Sequence, residues 1–228
     1  MTARDIRRLA VEGRDIAYRR REGGAPTLVF LPGYASDMEG AKALALDAFA
    51  EERGLAMLRF DYSGTGSSGG RFEDGTLEHW LDEALAVVDQ LSDGPLIVIG
   101  SSMGGWIALH VAQRRPERVK ALVGIAVAPD FTEWGVERNR DYLPAIFRES
   151  GRKLAVLEGE IAVDCPVRLI HGEADDDVPL DIAFRTMRAL RSADVQLLII
   201  KGGGHRLSEP LELDTILSTV AGYLEQTA

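Results

Sequence analysis

The chain has 228 residues, an apolar fraction of 46%, a net charge of −10 and a pI near 5.0. That length and core content suit one α/β domain over residues 1–228, and the acidic balance argues against a nucleic-acid or anionic-membrane partner. The lone cysteine, Cys165, rules out an intrachain disulfide, no Cys/His cluster has zinc-ligand spacing, and no apolar stretch is long enough to span a bilayer. A cytoplasmic, reducing setting is expected, because no hydrophobic segment follows the N-terminal charges as a secretory signal requires.

In chain order, residues 7–11 and 16–20 alternate polar and apolar around Glu12-Gly13, which predicts an antiparallel hairpin. Arg4, Arg7, Arg8, Arg19, Arg20 and Arg21 are interleaved with Asp5, Glu12 and Asp15, a pattern that suits a solvated edge. Residues 28–31 read as a short buried strand, and an Ala/Leu-rich helix is predicted from about 38 to 52. A strand over 56–60 ends in a Gly/Ser loop, and 76–91 has helical periodicity with Leu77, Trp80, Leu81, Ala84, Leu85 and Val88 on one face. The run 96–99 is apolar and β-branched, followed by a helix to about Arg115 that Pro116 closes. Further strands are predicted over 119–128, 167–170 and 195–200, with helices over 180–190 and 211–224. Repeated β–α units with short, fully apolar strands give a mostly parallel sheet of seven or eight strands, with helices on both faces. Residues 130–164 fit neither a strand nor a covering helix and read as an insertion at the carboxyl end of the sheet, where such folds bind ligands.

The stretch Gly100-Ser101-Ser102-Met103-Gly104 carries most of the chemistry. A strand that runs into G-x-S-x-G and then a helix is a nucleophile elbow, a tight turn that holds a serine at the tip of a sheet. Only Ser102 has glycines at both required positions; Ser101 would need one where Ile99 stands. A serine alcohol needs a base within hydrogen-bond reach and a third group to orient that base. Of the four histidines, His79 and His110 lie inside predicted helices and His171 ends a strand. His205 follows the last strand after Gly202-Gly203-Gly204 and is the expected base. The orienting carboxylate comes from Asp175-Asp176-Asp177; Asp175 is preferred, with Asp176 next. Three adjacent carboxylates also resemble a hard-cation site, but calcium ligands alternate with other residues and end in a distant glutamate, so no metal is expected. The chain order Ser, Asp, His fits the elbow. Backbone N–H groups of Met103 and of Tyr34, in the Pro32-Gly33-Tyr34 turn, are the candidate oxyanion donors. Gly64-Thr65-Gly66-Ser67-Ser68-Gly69 matches G-x-G-x-x-G, yet the next helix starts only near Thr76, too late to face a pyrophosphate. A structural loop in which Asp61 bonds its own backbone is expected there, and no cofactor.

Taken in order, Leu31-Pro32-Gly33-Tyr34, Asp61-Tyr62-Ser63-Gly64-Thr65-Gly66-Ser67-Ser68, Gly100-Ser101-Ser102-Met103-Gly104-Gly105-Trp106 and the 165–179 segment resemble the α/β-hydrolase fold superfamily. More narrowly, the chain is similar to abhydrolase-domain proteins described as acyl-protein thioesterases and as esterases of mycophenolic acid acyl-glucuronide. That resemblance implies a serine hydrolase acting on a small ester or thioester with an apolar acyl part. Peptidases, lactonases, cofactor-free haloperoxidases and a catalytically silent binding protein remain as alternatives. Two departures from the family stand out: the organelle-targeting leader of animal members is missing, and the 130–164 insertion is short. Phe131, Trp134, Tyr142, Leu143, Ile146 and Phe147 give this insertion an apolar and aromatic content, with Arg138, Arg140 and Arg148 between them. It reads either as a lid over the acyl group, with Phe131, Trp134, Leu143 and Phe147 facing substrate, or as an amphipathic helix packed on the core.

Overall fold

The structure, a computed structural model, describes residues 5–135 and 143–226; Arg4, Arg138, Arg140 and Tyr142 lie outside them. The chain opens with β1 (Arg7–Val11) and β2 (Arg14–Arg21), an antiparallel hairpin with Leu9 opposite Ile16. Then follow β3 (Gly24–Leu31), α1 (Ala41–Glu52), β4 (Leu55–Phe60), α2 (Leu77–Leu91), β5 (Leu96–Ser101) and α3 (Met103–Arg114). After β6 (Val119–Ile125) the insertion forms α4 (Phe131–Trp134) and α5 (Ala145–Lys153). The order closes with β7 (Val167–Gly172), α6 (Leu180–Ala189), β8 (Val195–Ile200) and α7 (Pro210–Gln226).

The eight strands make one sheet in the order β1-β2-β4-β3-β5-β6-β7-β8. The β1–β2 and β2–β4 pairs are antiparallel, and β3 onward are parallel. A parallel sheet buries both faces, and the period of two along each strand divides its residues between two cores. Val29, Leu31 and Val98 face α2 and α3, while Leu28, Phe30, Ile97 and Ile99 face α1 and α7. The arginine-rich hairpin occupies one edge, and ion pairs neutralise much of its charge: Arg19 with Glu39, Arg21 with Asp47 and Glu51, and Arg14 with the fully buried Glu83.

The strand order places the site. From β3 the chain moves outward to β4, then crosses back so that β5 lies on the other side of β3. The crevice outside the carboxyl ends of β3 and β5 is the switch point where open α/β sheets bind ligands. Leu31 at the end of β3 pairs with Gly100 at the end of β5, so the 32–34 turn and the elbow emerge side by side.

Several predicted boundaries move. The first helix begins at Ala41 rather than near 38, because the buried Met38 N–H donates to Asp61 and not to a helical partner. The strand expected over 119–128 stops at Ile125: Ala126 has φ 46°, and Ala128 N–H turns in to donate to the Ser102 carbonyl at 3.2 Å. The 130–164 segment contains the helices α4 and α5, and α5 packs on the core through Phe147.

Candidate active site

Ser102 sits between β5 and α3 with φ 55° and ψ −120°. A residue other than glycine in that region carries roughly 1–3 kcal/mol of strain and persists only where its surroundings fix it. Here Ser102 N–H donates to the Ile125 carbonyl at 2.8 Å, and the Ser102 carbonyl accepts from Gly105 and Ala128. The flanking glycines are required by close approach. A Cβ on Gly100 would lie 2.3 Å from the Gly104 carbonyl oxygen, and one on Gly104 would lie 2.1 Å from that of Leu31. Ser101 is buried, and Ser102 is the half-exposed member of the pair.

Ser102, His205 and Asp175 are brought into one hydrogen-bonded chain. His205 Nε2 lies 3.1 Å from Ser102 Oγ, and His205 Nδ1 lies 2.9 Å from Asp175 Oδ2. An ionised carboxylate only accepts, so the proton of the neutral ring belongs on Nδ1, which leaves Nε2 to accept from the serine hydroxyl. The Asp175 side chain is fully buried, while that of His205 keeps 23% of its surface exposed. Asp175 Oδ1 accepts from the N–H groups of Asp177 at 2.9 Å and Val178 at 2.8 Å. Burial pushes this carboxyl upward, but the His205 hydrogen bond, the Val178 N–H and the two nearby imidazoles outweigh it and hold it below the ordinary aspartate range. Asp175, Asp177 and His205 each bring a ligand-type atom within 4.8 Å of the others. The donors turned onto Asp175 suit support of an imidazole better than a cation, because both of its oxygens already accept.

The other histidines serve packing. His171, beneath Asp175, donates from Nε2 to the Val178 carbonyl at 3.0 Å, and burial lowers its pKa. His110 is buried, donates from Nε2 to the Leu154 carbonyl at 2.9 Å, and is likewise lowered by burial. The same Leu154 carbonyl accepts the Trp106 indole N–H at 2.9 Å. His79 is half-buried on α2, and its N–H caps that helix by donating to Thr76 Oγ1. Burial raises the Cys165 thiol to about 11, which fits a packing role.

Met103 is buried at the first turn of α3, and Gly33 lies against Ser102: a Cβ on Gly33 would be 3.3 Å from Ser102 Cβ. Tyr34 follows, half-buried, with its ring edge-on to Phe72, Phe131 and Phe147 at 5.0, 5.9 and 5.1 Å. Phe131, Leu143 and Phe147 are buried, Trp134 is half-buried with its indole N–H on the Pro129 carbonyl at 2.7 Å, and Ile146 is exposed. Asp130, at the base of the insertion, accepts from Val156 N–H at 2.9 Å and Leu157 N–H at 2.7 Å, tying its two ends together.

One contributor escaped the sequence reading. A Cβ on Gly172 would lie 2.2 Å from the Gly203 carbonyl oxygen, so this glycine at the end of β7 lets the 202–204 turn close over it and deliver His205. Gly204 has open space at the Cβ position, and Gly202 is required for its backbone, with φ 71°, rather than for close approach. The G-x-G-x-x-G stretch holds no anion cradle, since the Asp61 carboxylate itself accepts from Ser67 N–H at 2.7 Å.

Comparison with known proteins agrees with this architecture. A human protein named palmitoyl-protein thioesterase ABHD10, mitochondrial, is 36% identical over 93% of this chain and 77% of its own length. The solved structure of alpha/beta hydrolase domain-containing protein 10 from mouse superposes with a TM-score of 0.93 at 33% identity, covering 98% of this chain and all of that one. Est1E from Butyrivibrio proteoclasticus, solved with ferulic acid, shares the fold at a TM-score of 0.83 and 22% identity, over 96% of this chain and 98% of its own. The mammalian relatives carry a mitochondrial designation rather than the cytoplasmic setting expected from the sequence, and no described helix is long and apolar enough to cross a membrane. A family model described as alpha/beta hydrolase fold matches residues 26–145, more than half of the sequence, and the chain belongs to that family.

Proposed function

We propose that this protein hydrolyses carboxylic esters or thioesters through an acyl-enzyme on Ser102. The observation that carries the reading is the continuous contact from Ser102 Oγ through His205 to the buried Asp175. Ser102 Oγ attacks the carbonyl carbon while His205 Nε2 takes the hydroxyl proton, and Asp175 stabilises the resulting imidazolium. The tetrahedral oxyanion is held by the N–H groups of Met103 and Tyr34, and it collapses as His205 returns the proton to the leaving alcohol or thiol. Water then enters, gives a proton to Nε2 and attacks the acyl-enzyme, and the serine hydroxyl is restored as the acid leaves. No metal or cofactor takes part in this scheme. The thioesterase name of the human relative supports thioesters beside oxygen esters, with acyl-glucuronides within the same class.

On the same reading, residues 1–228 form one domain whose 130–164 insertion caps the acyl side. Tyr34, half-buried and packed edge-on against the buried Phe131 and Phe147, supports an apolar acyl part. A fluorophosphonate probe followed by peptide mapping tests the nucleophile: label should sit on Ser102, persist in Ser101→Ala and vanish in Ser102→Ala. Label retained by Ser102→Ala overturns the reading. In a parallel panel, p-nitrophenyl esters and acyl-coenzyme A should turn over, while aminoacyl amides and lactones should not.

A further inference from the structure

The loop after β4, with the look of a nucleotide motif, has a different task. We propose that Asp61, with Arg59, is a positioning residue for the oxyanion loop: the two side chains lock the Met38 peptide and thereby fix residues 33–38 against Ser102. The inference rests on the serine-hydrolase reading of Ser102 and on Tyr34 N–H as an oxyanion donor.

Asp61 is 1% exposed, and its two oxygens reach different loops. Oδ1 accepts from Met38 N–H at 2.7 Å, and Oδ2 accepts from Ser67 N–H at 2.7 Å. Two residues earlier, on β4, Arg59 Nη1 donates to the Met38 carbonyl at 2.8 Å. Both polar groups of a buried residue four positions after Tyr34 are therefore tied to the end of β4. At its other end the segment continues from β3, and a Ser36 N–H to Gly33 carbonyl bond at 3.1 Å closes the turn between. Loops built this way have little freedom to slide, and an oxyanion donor contributes only while its N–H stays aimed at the developing charge.

The glycines of the 64–69 stretch follow from the same geometry. Gly66 has φ 47°, and a Cβ there would lie 2.2 Å from Asp61 Oδ2, so the carboxylate occupies the space a side chain would need. The loop is held from outside as well. Ser63 N–H donates to the buried Glu83 at 2.9 Å, Trp80 Nε1–H donates to the Ser63 carbonyl at 3.1 Å, and Ser68 Oγ–H donates to the Asp61 carbonyl at 2.6 Å. Asp61 is thus a strut between a fixed loop and a loop that must be fixed.

The test is Asp61→Asn, which keeps the shape but replaces one of two acceptors with a donor facing a backbone N–H. Turnover is normalised to sites titrated with fluorophosphonate, so that a smaller folded fraction does not count. The expected result is a tenfold lower kcat per titrated site with KM within twofold. Affinity for a trifluoromethyl ketone, whose hemiketal oxygen needs the same donors, should weaken tenfold in parallel. Gly66→Ala, which pushes on the carboxylate without removing it, should show the same split in smaller degree and serves if Asp61→Asn does not fold. Arg118→Met, remote from the crevice where Arg118 holds the Val88 and Ser92 carbonyls, is the control for lost stability alone. Normal per-site kcat and inhibitor affinity in both Asp61→Asn and Gly66→Ala, or losses no different from those of Arg118→Met, overturn the proposal. Persistent turnover in Ser102→Ala sinks the serine reading and the strut with it. A normal Asp61→Asn beside a dead Ser102→Ala sinks the strut alone.

Discussion

Gly172→Ala adds a single methyl group about which the structure makes a quantitative statement. That methyl would sit 2.2 Å from the Gly203 carbonyl oxygen, 2.5 Å from its carbon and 2.8 Å from the Gly204 carbonyl oxygen. Ordinary packing begins near 3.4 Å, so the 202–204 turn must withdraw by about 1.2 Å. The turn cannot yield alone, because the Gly203 carbonyl accepts from Ala174 N–H at 2.9 Å, next to Asp175. His205 rides on the far end of this turn with 3.1 Å to Ser102 Oγ, and a shift of that size breaks the contact. A misplacement of about 1 Å costs on the order of a hundredfold in rate, which is about 2.7 kcal/mol in the barrier. The assay is p-nitrophenyl ester turnover per titrated site, with Gly204→Ala as the comparison: it adds the same methyl group on the same turn, where the Cβ position is open and φ lies outside the left-handed region. A Gly172→Ala enzyme with kcat within threefold of the parent refutes the reasoning, and with it the claim that this close approach delivers the base.

The remaining predictions concern the carboxylates. Asp175→Asn should lower kcat on the order of ten-thousand-fold by favouring the wrong imidazole tautomer. Asp176→Asn should stay within threefold, and steady-state kinetics with the reverse ranking would move the third member of the chain to Asp176. The two buried aspartates should also oppose each other in the pH dependence of stability. Asp175 is held below its unfolded value of about 3.9, so its contribution is complete above that pH and is lost as pH falls through the folded value. In urea unfolding the advantage of wild type over Asp175→Asn should shrink as pH falls below about 4. Asp61 is raised, chiefly by burial, so its contribution is present below the unfolded value and lost as pH rises through the folded one. The stability of wild type relative to Asp61→Asn should therefore grow as pH falls from 6 toward 4, and a gap that shrinks over that range contradicts the assignment.

The order of strands and helices was legible because buried parallel strands are continuous apolar runs, and Gly, Pro and Thr76 punctuate them. What the runs did not carry is where tertiary demands interrupt a pattern. Ala126, Val127 and Ala128 have the composition of a strand, but the chain leaves the sheet there to bond the Ser102 carbonyl. Gly24 to Thr27 look like a loop, yet they pair with Leu55 and Leu96 and lengthen β3 toward its start. Within the site, Ser102 announced itself through glycines two residues away on each side, a local constraint that sequence records directly. His205 came by elimination among four histidines and Asp175 as the preferred of three adjacent carboxylates after a strand, and the structure brings both into hydrogen-bond distance of one another and of Ser102. Gly172, Asp61 and Arg59 act on partners between 21 and 31 positions away, and nothing in their own neighbourhoods marks that duty.

The insertion is joined to the body of the molecule at several places, among them Ser150 on the Glu78 N–H, Asp164 on Arg191 and Ile161 on Ala189. Asp130 grips the N–H groups of Val156 and Leu157, and the Leu154 carbonyl takes the Trp106 and His110 donors of α3. The start of this segment and residues 154–157 are thus clamped to each other and to α3, which begins just after Ser102. For a protein engineer the clamp marks what any exchanged segment must keep: Asp130 and Leu154, together with Phe147 against Trp80 and Ser150 on the Glu78 N–H. On the proposed function, selectivity would be varied in that segment while Ser102, His205 and Asp175 stay in place.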